Sequence, residues 1–313
     1  MQINRLCKKT WPIFKNTASE GKMKVEFRER LEKRQKEINS LLCVGLDPLL
    51  SKIPQCLLSE YDTQIQALTK QMIDIVFETE SLALAFKLQS ASFESIRGGR
   101  DVMQKLIKII RELNVPVIVD CKRGEIKKSQ ERYGVAHFEL DGADAITFNP
   151  YLGSFCLTAL VDVGGIDKGC IGLCYTSDPG SREVQDIICY DGRPYWQHMA
   201  EKILQWSHNI ESKNVGIVMA AAHKKVQKEL TYIFYKHLIE ARKIVEDKLW
   251  FLIPGIGEQE GIVKETIESA YCGAGSIAVN SSSGIIFAGS DSDYAQAAAN
   301  KAEELRDEMR KYM

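Results

Sequence analysis

The chain has 313 residues, 45% of them hydrophobic, and a formal net charge of −1. This length allows a large buried core in one or two domains, and the scattered basic residues argue against nucleic-acid binding. The longest apolar runs are shorter than a membrane span, so no transmembrane protein is expected.

The nine cysteines follow no CxxC or zinc-type spacing. Cys43, Cys121, Cys170 and Cys174 lie in or beside apolar runs. This pattern is typical of reduced thiols in the core of a cytoplasmic protein.

Residues 1–24 differ from the rest of the chain because their basic residues face a single acid, Glu20. An organelle-targeting segment is one interpretation. We favour a dispensable basic extension, because Met23 stands just before the first helical pattern. We therefore expect the folded domain to span residues 25–313.

Short apolar runs recur along the chain, each followed by a polar turn. The runs are Leu41–Leu46, Leu82–Lys87, Val115–Asp120, Ala143–Phe148, Gly169–Cys174, Val215–Met219, Leu249–Ile253 and Ser276–Val279. Amphipathic stretches with helical periodicity cover residues 61–80, 100–113, 127–141, 194–211, 225–246, 260–272 and 291–312. Eight strands joined by crossover helices predict a single α/β domain, a closed (β/α)₈ TIM barrel. An open doubly wound sheet is the alternative, although no GxGxxG follows the first run.

In such a barrel the catalytic side chains lie at the carboxyl ends of the strands. The polar residues at those positions are Asp47, Lys87, Asp120, Lys122, Asn149, Thr176, Ser177, His223, Gly255–Gln259 and Asn280–Gly284. Each of them alone has a structural explanation, such as a turn or a surface ion pair. Together they place two lysines and two carboxylates opposite glycine- and serine-rich loops of the kind that bind phosphate. This combination predicts proton or carboxylate chemistry on a phosphorylated small molecule.

The segment VDCKRGEIK, residues 119–127, carries the strongest functional signal. Asp120 and Lys122 are two residues apart at a strand end, so both side chains point to one spot, and Glu125 follows on the loop. Neighbouring carboxylates keep a lysine protonated and oriented, as proton delivery requires. A solvated ion pair is the alternative interpretation.

From about Val25 onward the chain resembles orotidine 5′-phosphate decarboxylase, specifically the longer bacterial-type branch of that family. The motifs that carry the resemblance are SLLCVGLDP at 40–48, Phe86-Lys87 with Phe93-Glu94, DCKRGEI at 120–126, NPYLG at 149–153, TSDPGS at 176–181, PGIGEQ at 254–259 and NSSSGI at 280–285. They follow one another in the family's order.

The resemblance implies conversion of orotidine monophosphate to UMP in pyrimidine biosynthesis, without a metal or an organic cofactor. By this resemblance Lys122 would protonate C6, and Asp120 would lie beside the substrate carboxylate. Lys87 would connect the ribose to the row of carboxylates. The remaining substrate-binding residues would be Asp47, Asn149, Thr176, Ser177, Gln259, Ser282, Ser283 and Gly284, with residues 176–187 as a closing lid.

The resemblance also implies a homodimer with shared active sites, in which Glu125 and Ser129 reach into the neighbouring subunit's site. It allows an orotate phosphoribosyltransferase as a further partner. Four departures from the family bear on activity. Met219-Ala220-Ala221-Ala222-His223 replaces a Gly-Ala-Thr turn, and Leu88-Gln89 follows Lys87 where the family usually has a proline. Glu125 stands where the family has Asp, and Ser283 stands where the family has a phosphate-binding Arg. Arg182 or Lys224 could provide the missing positive charge.

We favour an active decarboxylase, with slower turnover or weaker phosphate affinity than its relatives because of Glu125 and Ser283, since the four charges closest to the chemistry are retained. The second hypothesis is a barrel that binds a nucleotide or has a structural role without turnover. A sugar-phosphate decarboxylase or isomerase, and an aldolase that forms a Schiff base on Lys87 or Lys122, are weaker alternatives.

Overall fold

The computed structural model describes residues 25–227, 230–257 and 261–313. Within these ranges the strands are β1 (Leu42–Leu46), β2 (Ala85–Gln89), β3 (Val117–Arg123), β4 (Ala145–Phe148), β5 (Gly169–Tyr175), β6 (Val215–Met219), β7 (His223–Gln227), β8 (Leu230–Phe234), β9 (Trp250–Pro254) and β10 (Ile277–Ser281). The helices are α1 (Phe27–Ile38), α2 (Gln55–Glu60), α3 (Gln64–Thr79), α4 (Ser90–Glu94), α5 (Gly99–Glu112), α6 (Lys127–Gly134), α7 (Phe155–Gly164), α8 (Arg182–Gln185), α9 (Tyr195–Asn209), α10 (Lys236–Val245), α11 (Val263–Ala270), α12 (Ser283–Ile286) and α13 (Tyr294–Arg310).

Eight of the strands form one closed parallel barrel in the order β1-β2-β3-β4-β5-β6-β9-β10, and β10 pairs again with β1. These are the eight strands that the apolar runs predict, with boundaries that differ by at most three residues. The single-domain TIM barrel is therefore confirmed, and the open doubly wound sheet is excluded. The predicted extension at residues 1–24 lies outside the described residues.

The predicted helix over residues 225–246 is wrong in its first half. The chain there forms an antiparallel hairpin of β7 and β8, and the helix α10 covers only Lys236–Val245. The run Thr231-Tyr232-Ile233-Phe234 is β-branched and aromatic, and such residues favour strands over helices. The hairpin stands directly after β6, at the carboxyl end of the barrel.

Two further helical segments differ from the sequence-based expectation. The predicted helix over 127–141 is divided, because α6 ends at Gly134 and a π-helical stretch continues from Val135 to Leu140. Helix α7 has no counterpart among the predicted helices. Its sequence FCLTALVDVG is apolar almost throughout, so it lacks the polar face that gives a helical period.

The barrel interior is filled by side chains of very different size. Trp250 is fully buried inside the barrel beside Gly216, where an added Cβ would stand 2.6 Å from the indole ring. Small residues such as Ala85 and Ala278 complete the same cluster. A bulky ring opposite glycine and alanine allows close packing without overlap.

Helix α1 closes the amino-terminal end of the barrel. Phe27 N donates a 3.0 Å hydrogen bond to Asp167 O, just ahead of β5, and the Phe27 ring lies 5.5 Å from the Trp250 ring. Phe27 and Leu31 both belong to the barrel's interior cluster. The opposite end, where the strands finish, is the end left for the polar side chains.

No helix within the described residues is long and apolar enough to cross a membrane. Across the same residues, no group of three His, Cys, Asp or Glu side chains is arranged to hold a metal ion.

Candidate active site

The carboxyl ends of β1, β2 and β3 bring four charged side chains into one alternating row. Lys87 Nζ lies 3.4 Å from Asp47 Oδ1 and 3.3 Å from Asp120 Oδ2. Lys122 Nζ lies 2.7 Å from Asp120 Oδ1. In the parallel register of β1 and β2, Gly45 is the partner of Lys87. This pairing places Asp47, two residues after Gly45, at the same end of the barrel as Lys87. The sequence-predicted lysines and carboxylates therefore do come together, in the order Asp47, Lys87, Asp120, Lys122.

Burial and charge pairing fix the ionisation of the inner part of this row. Burial lowers the pKa of Lys87, but the carboxylates of Asp47 and Asp120 outweigh it, so the pKa is raised overall. Burial raises the pKa of Asp120, and the opposing ammonium groups of Lys87 and Lys122 bring it down to about 2. The Lys87 side chain is only 4% exposed, whereas that of Lys122 is 44% exposed. Lys122 is thus the ammonium that a bound molecule can reach.

A lysine held in the ammonium form is a poor nucleophile. The raised pKa of Lys87 therefore argues against a Schiff base at that residue.

Lys122 has an unusual backbone conformation. Its φ is +48°, in the left-handed region, and the pairing of β3 with β4 shifts register between Val119 and Arg123. Such a conformation costs a non-glycine residue on the order of 1–3 kcal/mol and persists only where neighbours enforce it. Asp120 and Lys122 therefore meet across an irregularity in the strand rather than through regular alternation.

Thr147 on β4 holds this irregularity in place. Its Oγ1 accepts a 2.9 Å hydrogen bond from Lys122 N and donates a 2.8 Å bond to Asp120 Oδ1. One hydroxyl thus fixes both the backbone of the lysine and the carboxylate of the aspartate. The sequence gives no signal for Thr147, because its role depends on the register between two strands.

Gln89, at the end of β2, makes a second contact that the sequence did not predict. In the amide orientation that satisfies both ends, its oxygen accepts from Lys122 Nζ at 3.3 Å and its nitrogen donates to Asp120 O. The parallel register pairs Gln89 directly with Asp120. The Gln89 amide therefore contacts both Asp120 and Lys122 from the β2 side.

A second charged network supports the outer part of β3. Arg123 pairs with Glu94 and donates a 3.3 Å bond to His137 Nε2, while His137 Nδ1 lies 2.9 Å from Asp141 Oδ2. Burial raises the pKa of Glu94, but its bond from Ser90 and the charge of Arg123 lower it overall. This network connects the motif containing Phe93-Glu94 with the segment that carries Lys122.

Glu125 is placed away from the charged row. Its Oε2 accepts a 2.9 Å bond from Ile126 N, and its own N donates to Gln130 Oε1 at 3.1 Å. Ser129 lies in the first turn of α6, where its N donates to Ile126 O. Neither residue joins the row within one subunit.

An exposed apolar surface lies beside Glu125. Ile126 is 68% exposed, and Tyr151, Leu152 and Phe155 on the neighbouring loop and helix are also exposed. The residue after Ile126, Lys127, lies close to the same loop and helix, with its Nζ 5.8 Å from the centre of the Phe155 ring. We call these four residues the apolar rim. Contiguous exposed apolar residues of this kind mark interaction surfaces.

The polar residues after β4 and β5 are bound into their own loops. Asn149 Oδ1 accepts from Tyr151 N at 3.1 Å, so this side chain caps the short 3₁₀ turn Pro150–Leu152. Thr176 N donates to Gln185 Oε1 at 2.9 Å, which folds the segment from Thr176 to α8 back on itself. Ser177 follows Thr176 in this segment, and its side chain is half-buried.

The loops after β9 and β10 lie against each other at Gly257, Ser281 and Gly284. Gly257 has a φ of +108°, and an added Cβ there would lie 3.1 Å from Ser281 Oγ. An added Cβ on Gly284 would lie 3.7 Å from the same oxygen. Ser282 packs against Gly45 of β1, and Ser283 begins α12. The predicted contact residue Gln259 lies outside the described residues.

Comparison with known proteins identifies what these features belong to. The family model described as Orotidine 5′-phosphate decarboxylase / HUMPS family matches residues 40–298. The orotidine 5′-phosphate decarboxylase of Cupriavidus metallidurans is 36% identical, covering 91% of this chain and 98% of that protein. The structure of Leishmania donovani OMP decarboxylase has a TM-score of 0.71 at 28% identity, covering 92% of this chain and 100% of that chain. The structure of Leishmania donovani UMP synthase has a TM-score of 0.71 at 29% identity, covering 91% of this chain and 57% of that chain. The chain therefore belongs to the orotidine 5′-phosphate decarboxylase / HUMPS family.

Proposed function

We propose that this chain decarboxylates orotidine 5′-phosphate to UMP in pyrimidine biosynthesis, with Lys122 as the proton donor. The observation that carries the proposal is the alternating row of Asp47, Lys87, Asp120 and Lys122. Family membership and relatives named orotidine 5′-phosphate decarboxylase support the choice of substrate.

The geometry of the row suits the reaction as follows. When the bond between C6 and the carboxylate carbon breaks, the electron pair stays on C6 and CO₂ leaves. Lys122 has the exposed ammonium of the row, and in this proposal it stabilises the developing charge and transfers a proton to C6. The lysine then regains a proton from water. Lys87 and Asp120 hold their charges throughout, so the site needs little reorganisation during the reaction.

The direct test is to follow the loss of orotidine monophosphate absorbance with purified protein and with the variant Lys122→Ala. We expect activity in the wild type and none in the variant. Lys70→Ala is the matched control, because Lys70 also pairs with a carboxylate, Asp74, at 2.7 Å, but on the outer helix α3. Tight UMP binding by the wild type without turnover would contradict the proposal and support the silent barrel instead.

We also propose that the active unit is a homodimer in which Glu125 and Ser129 of one subunit complete the site of the other. The position of Glu125 away from the row and the exposed apolar rim beside it support this arrangement.

The experiment mixes equal amounts of the Lys122→Ala and Glu125→Ala proteins. A dimer that contains one subunit of each variant would have one active site in which both residues are intact. Random pairing in a two-fold dimer should restore roughly a quarter of the wild-type activity. If Glu125 served its own subunit, mixing would restore nothing.

Two further expectations stay predictions. The free, buried thiols of Cys43, Cys170 and Cys174 support a cytoplasmic location. A partnership with an orotate phosphoribosyltransferase is allowed by the sequence resemblance, and co-purification of the two proteins would test it.

A further inference from the structure

The side chain of Arg123, the residue after Lys122, is held from three sides at the mouth of the barrel, the end where the strands finish. It pairs with Glu94 of α4, and its Nε donates a 3.3 Å hydrogen bond to His137 Nε2. The guanidinium also lies over the Tyr133 ring, 4.7 Å from the ring centre. Only 25% of the Arg123 side chain is exposed, so neighbouring residues set its position.

His137 is a buried imidazole with both ring nitrogens bonded. It lies in the π-helical stretch Val135–Leu140, a rare local structure that is frequent at functional sites. Because a guanidinium can only donate, Nε2 accepts from Arg123 and the ring proton lies on Nδ1. Nδ1 donates to Asp141 Oδ2 at 2.9 Å. An imidazole bonded at both ends presents its lone pair to Arg123 in one fixed direction.

Asp141 is itself anchored to the outer helix α5. Its Oδ1 accepts from Gln104 Nε2 at 2.8 Å and from Arg100 Nε at 3.1 Å. Burial raises the pKa of Asp141, but its hydrogen bonds with His137 and Gln104 lower it overall. The carboxylate therefore stays ionised and keeps the imidazole proton on the side away from Arg123.

The backbone around Lys122 is held on both sides. Lys122 has a φ of +48°, a conformation that persists only where neighbours enforce it. On one side Thr147 Oγ1 accepts from Lys122 N at 2.9 Å. On the other side the carbonyl oxygen of Arg123 accepts from Asn149 N at 2.9 Å and from Gln130 Nε2 at 3.3 Å. The Arg123 side chain adds the contacts to α4 and to the π-helical stretch, so the strained lysine lies between two fixed neighbours.

A role in stability alone is the alternative for this network. Ion pairs near the surface contribute little to stability, and the Glu94 side chain is 40% exposed. Its carboxylate is nevertheless oriented, because Ser90 Oγ donates to Glu94 Oε1 at 2.5 Å. The bonds from α4, α5 and the π-helical stretch all converge on the residue next to Lys122, which favours a role in orienting that lysine.

We propose that Glu94 and His137 are positioning residues for the decarboxylation. Through Arg123 they hold Lys122 in its strained conformation and so orient its ammonium. The inference rests on the proposed function for the role of Lys122. It extends the machinery of the site to side chains that lie outside the charged row.

Two amide substitutions of His137 separate its two hydrogen bonds. A Gln side chain can place its oxygen where Nε2 stands and so keeps an acceptor for Arg123. An Asn side chain can place its nitrogen where Nδ1 stands and so keeps only the donor to Asp141. For His137→Asn we expect kcat on orotidine monophosphate to fall about 10- to 100-fold, as for a proton donor displaced by up to 1 Å, with KM close to the wild-type value. His137→Gln should retain most of the wild-type kcat.

Glu94→Ala is a second variant, at a position exposed enough to spare the core. It should also lower kcat with little change in KM. His198→Asn is the matched control, because His198 likewise links an arginine to an aspartate. Its Nδ1 lies 3.3 Å from Arg193 Nη2 and its Nε2 lies 3.1 Å from Asp191 Oδ1, but this network is on α9 and the turn before it. The control should keep the wild-type kcat.

Hydrogen exchange, followed by mass spectrometry on the peptide that contains Lys122, reports on the strained conformation without turnover. The Lys122 N–H is bonded to Thr147 Oγ1, so its exchange should be faster in His137→Asn and Glu94→Ala. Exchange in His137→Gln and in His198→Asn should stay close to that of the wild type.

Several outcomes would overturn the proposal. Wild-type kcat in both His137→Asn and Glu94→Ala refutes it, and equal losses in His137→Asn and His137→Gln refute the role of the bond to Arg123. A loss of kcat without faster exchange refutes the route through Lys122. A wild type that does not decarboxylate orotidine monophosphate refutes the proposed reaction, and the exchange pattern then still decides whether the network holds Lys122, so the two failures are distinguishable.

Discussion

The substitution Thr147→Val tests whether one hydroxyl sets the geometry of the proton donor. Valine keeps the shape of threonine but removes Oγ1, which accepts from Lys122 N at 2.9 Å and donates to Asp120 Oδ1 at 2.8 Å. The Lys122 N–H then loses its acceptor while the backbone is still held at a φ of +48°.

The expected loss in the free energy of unfolding follows from the loss of these two hydrogen bonds. A buried donor without a partner costs about 1–3 kcal/mol, and the loss of the buried hydroxyl itself offsets part of the second bond, so we expect a loss of about 2 kcal/mol in the free energy of unfolding. Relaxation of the strained lysine moves its Nζ, and misplacement on the order of 1 Å lowers a rate about 10²-fold. The kcat should therefore fall far more than KM rises.

The assay combines urea unfolding with steady-state kinetics on orotidine monophosphate. Thr69→Val is the matched control, because Thr69 Oγ1 also makes a side-chain hydrogen bond, to Ile65 O, but on the outer helix α3. The control should lose some stability and keep its kcat. A Thr147→Val protein with wild-type kcat would refute the reasoning, since Lys122 would then be oriented by other contacts.

Two further predictions concern stability. The pKa of Asp120 is about 2 in the fold against an ordinary 3.8, so its ion pairs contribute about 2 kcal/mol at neutral pH that is lost as the pH falls from 3.8 towards 2. The difference in unfolding free energy between the wild type and Asp120→Asn should shrink over this interval, and a constant difference would contradict the assignment. Tyr294→Phe removes the hydroxyl that donates to Asp74 and should cost about 1–2 kcal/mol in urea unfolding without changing kcat, because α13 and α3 lie outside the mouth.

Strand positions were predictable because each barrel strand is buried on both faces and reads as a continuous apolar run. The charged row followed from the same reasoning, since the carboxyl ends of β1 to β3 are adjacent in a parallel barrel. The hairpin of β7 and β8 was not predicted. Its sequence from 223 to 230, HKKVQKEL, also fits an amphipathic helix, and only the β-branched and aromatic run 231–234 distinguishes the hairpin from a helix.

Thr147 and Gln89 could not be predicted for a different reason. Their contacts depend on the side chain facing them across a strand pair, and the register between β3 and β4 shifts within the site itself. Arg182 and His223 are 41 residues apart and meet through the fold of the lid.

Closure of the amino-terminal end by α1 has a practical consequence for handling the protein. Because Phe27 and Leu31 plug the barrel at the end opposite the charged row, a polypeptide joined ahead of Val25 is attached on the far side from the mouth. An affinity tag, a fluorescent protein or a second enzyme fused there leaves substrate entry unobstructed. Immobilisation of the protein for binding measurements should likewise use this end.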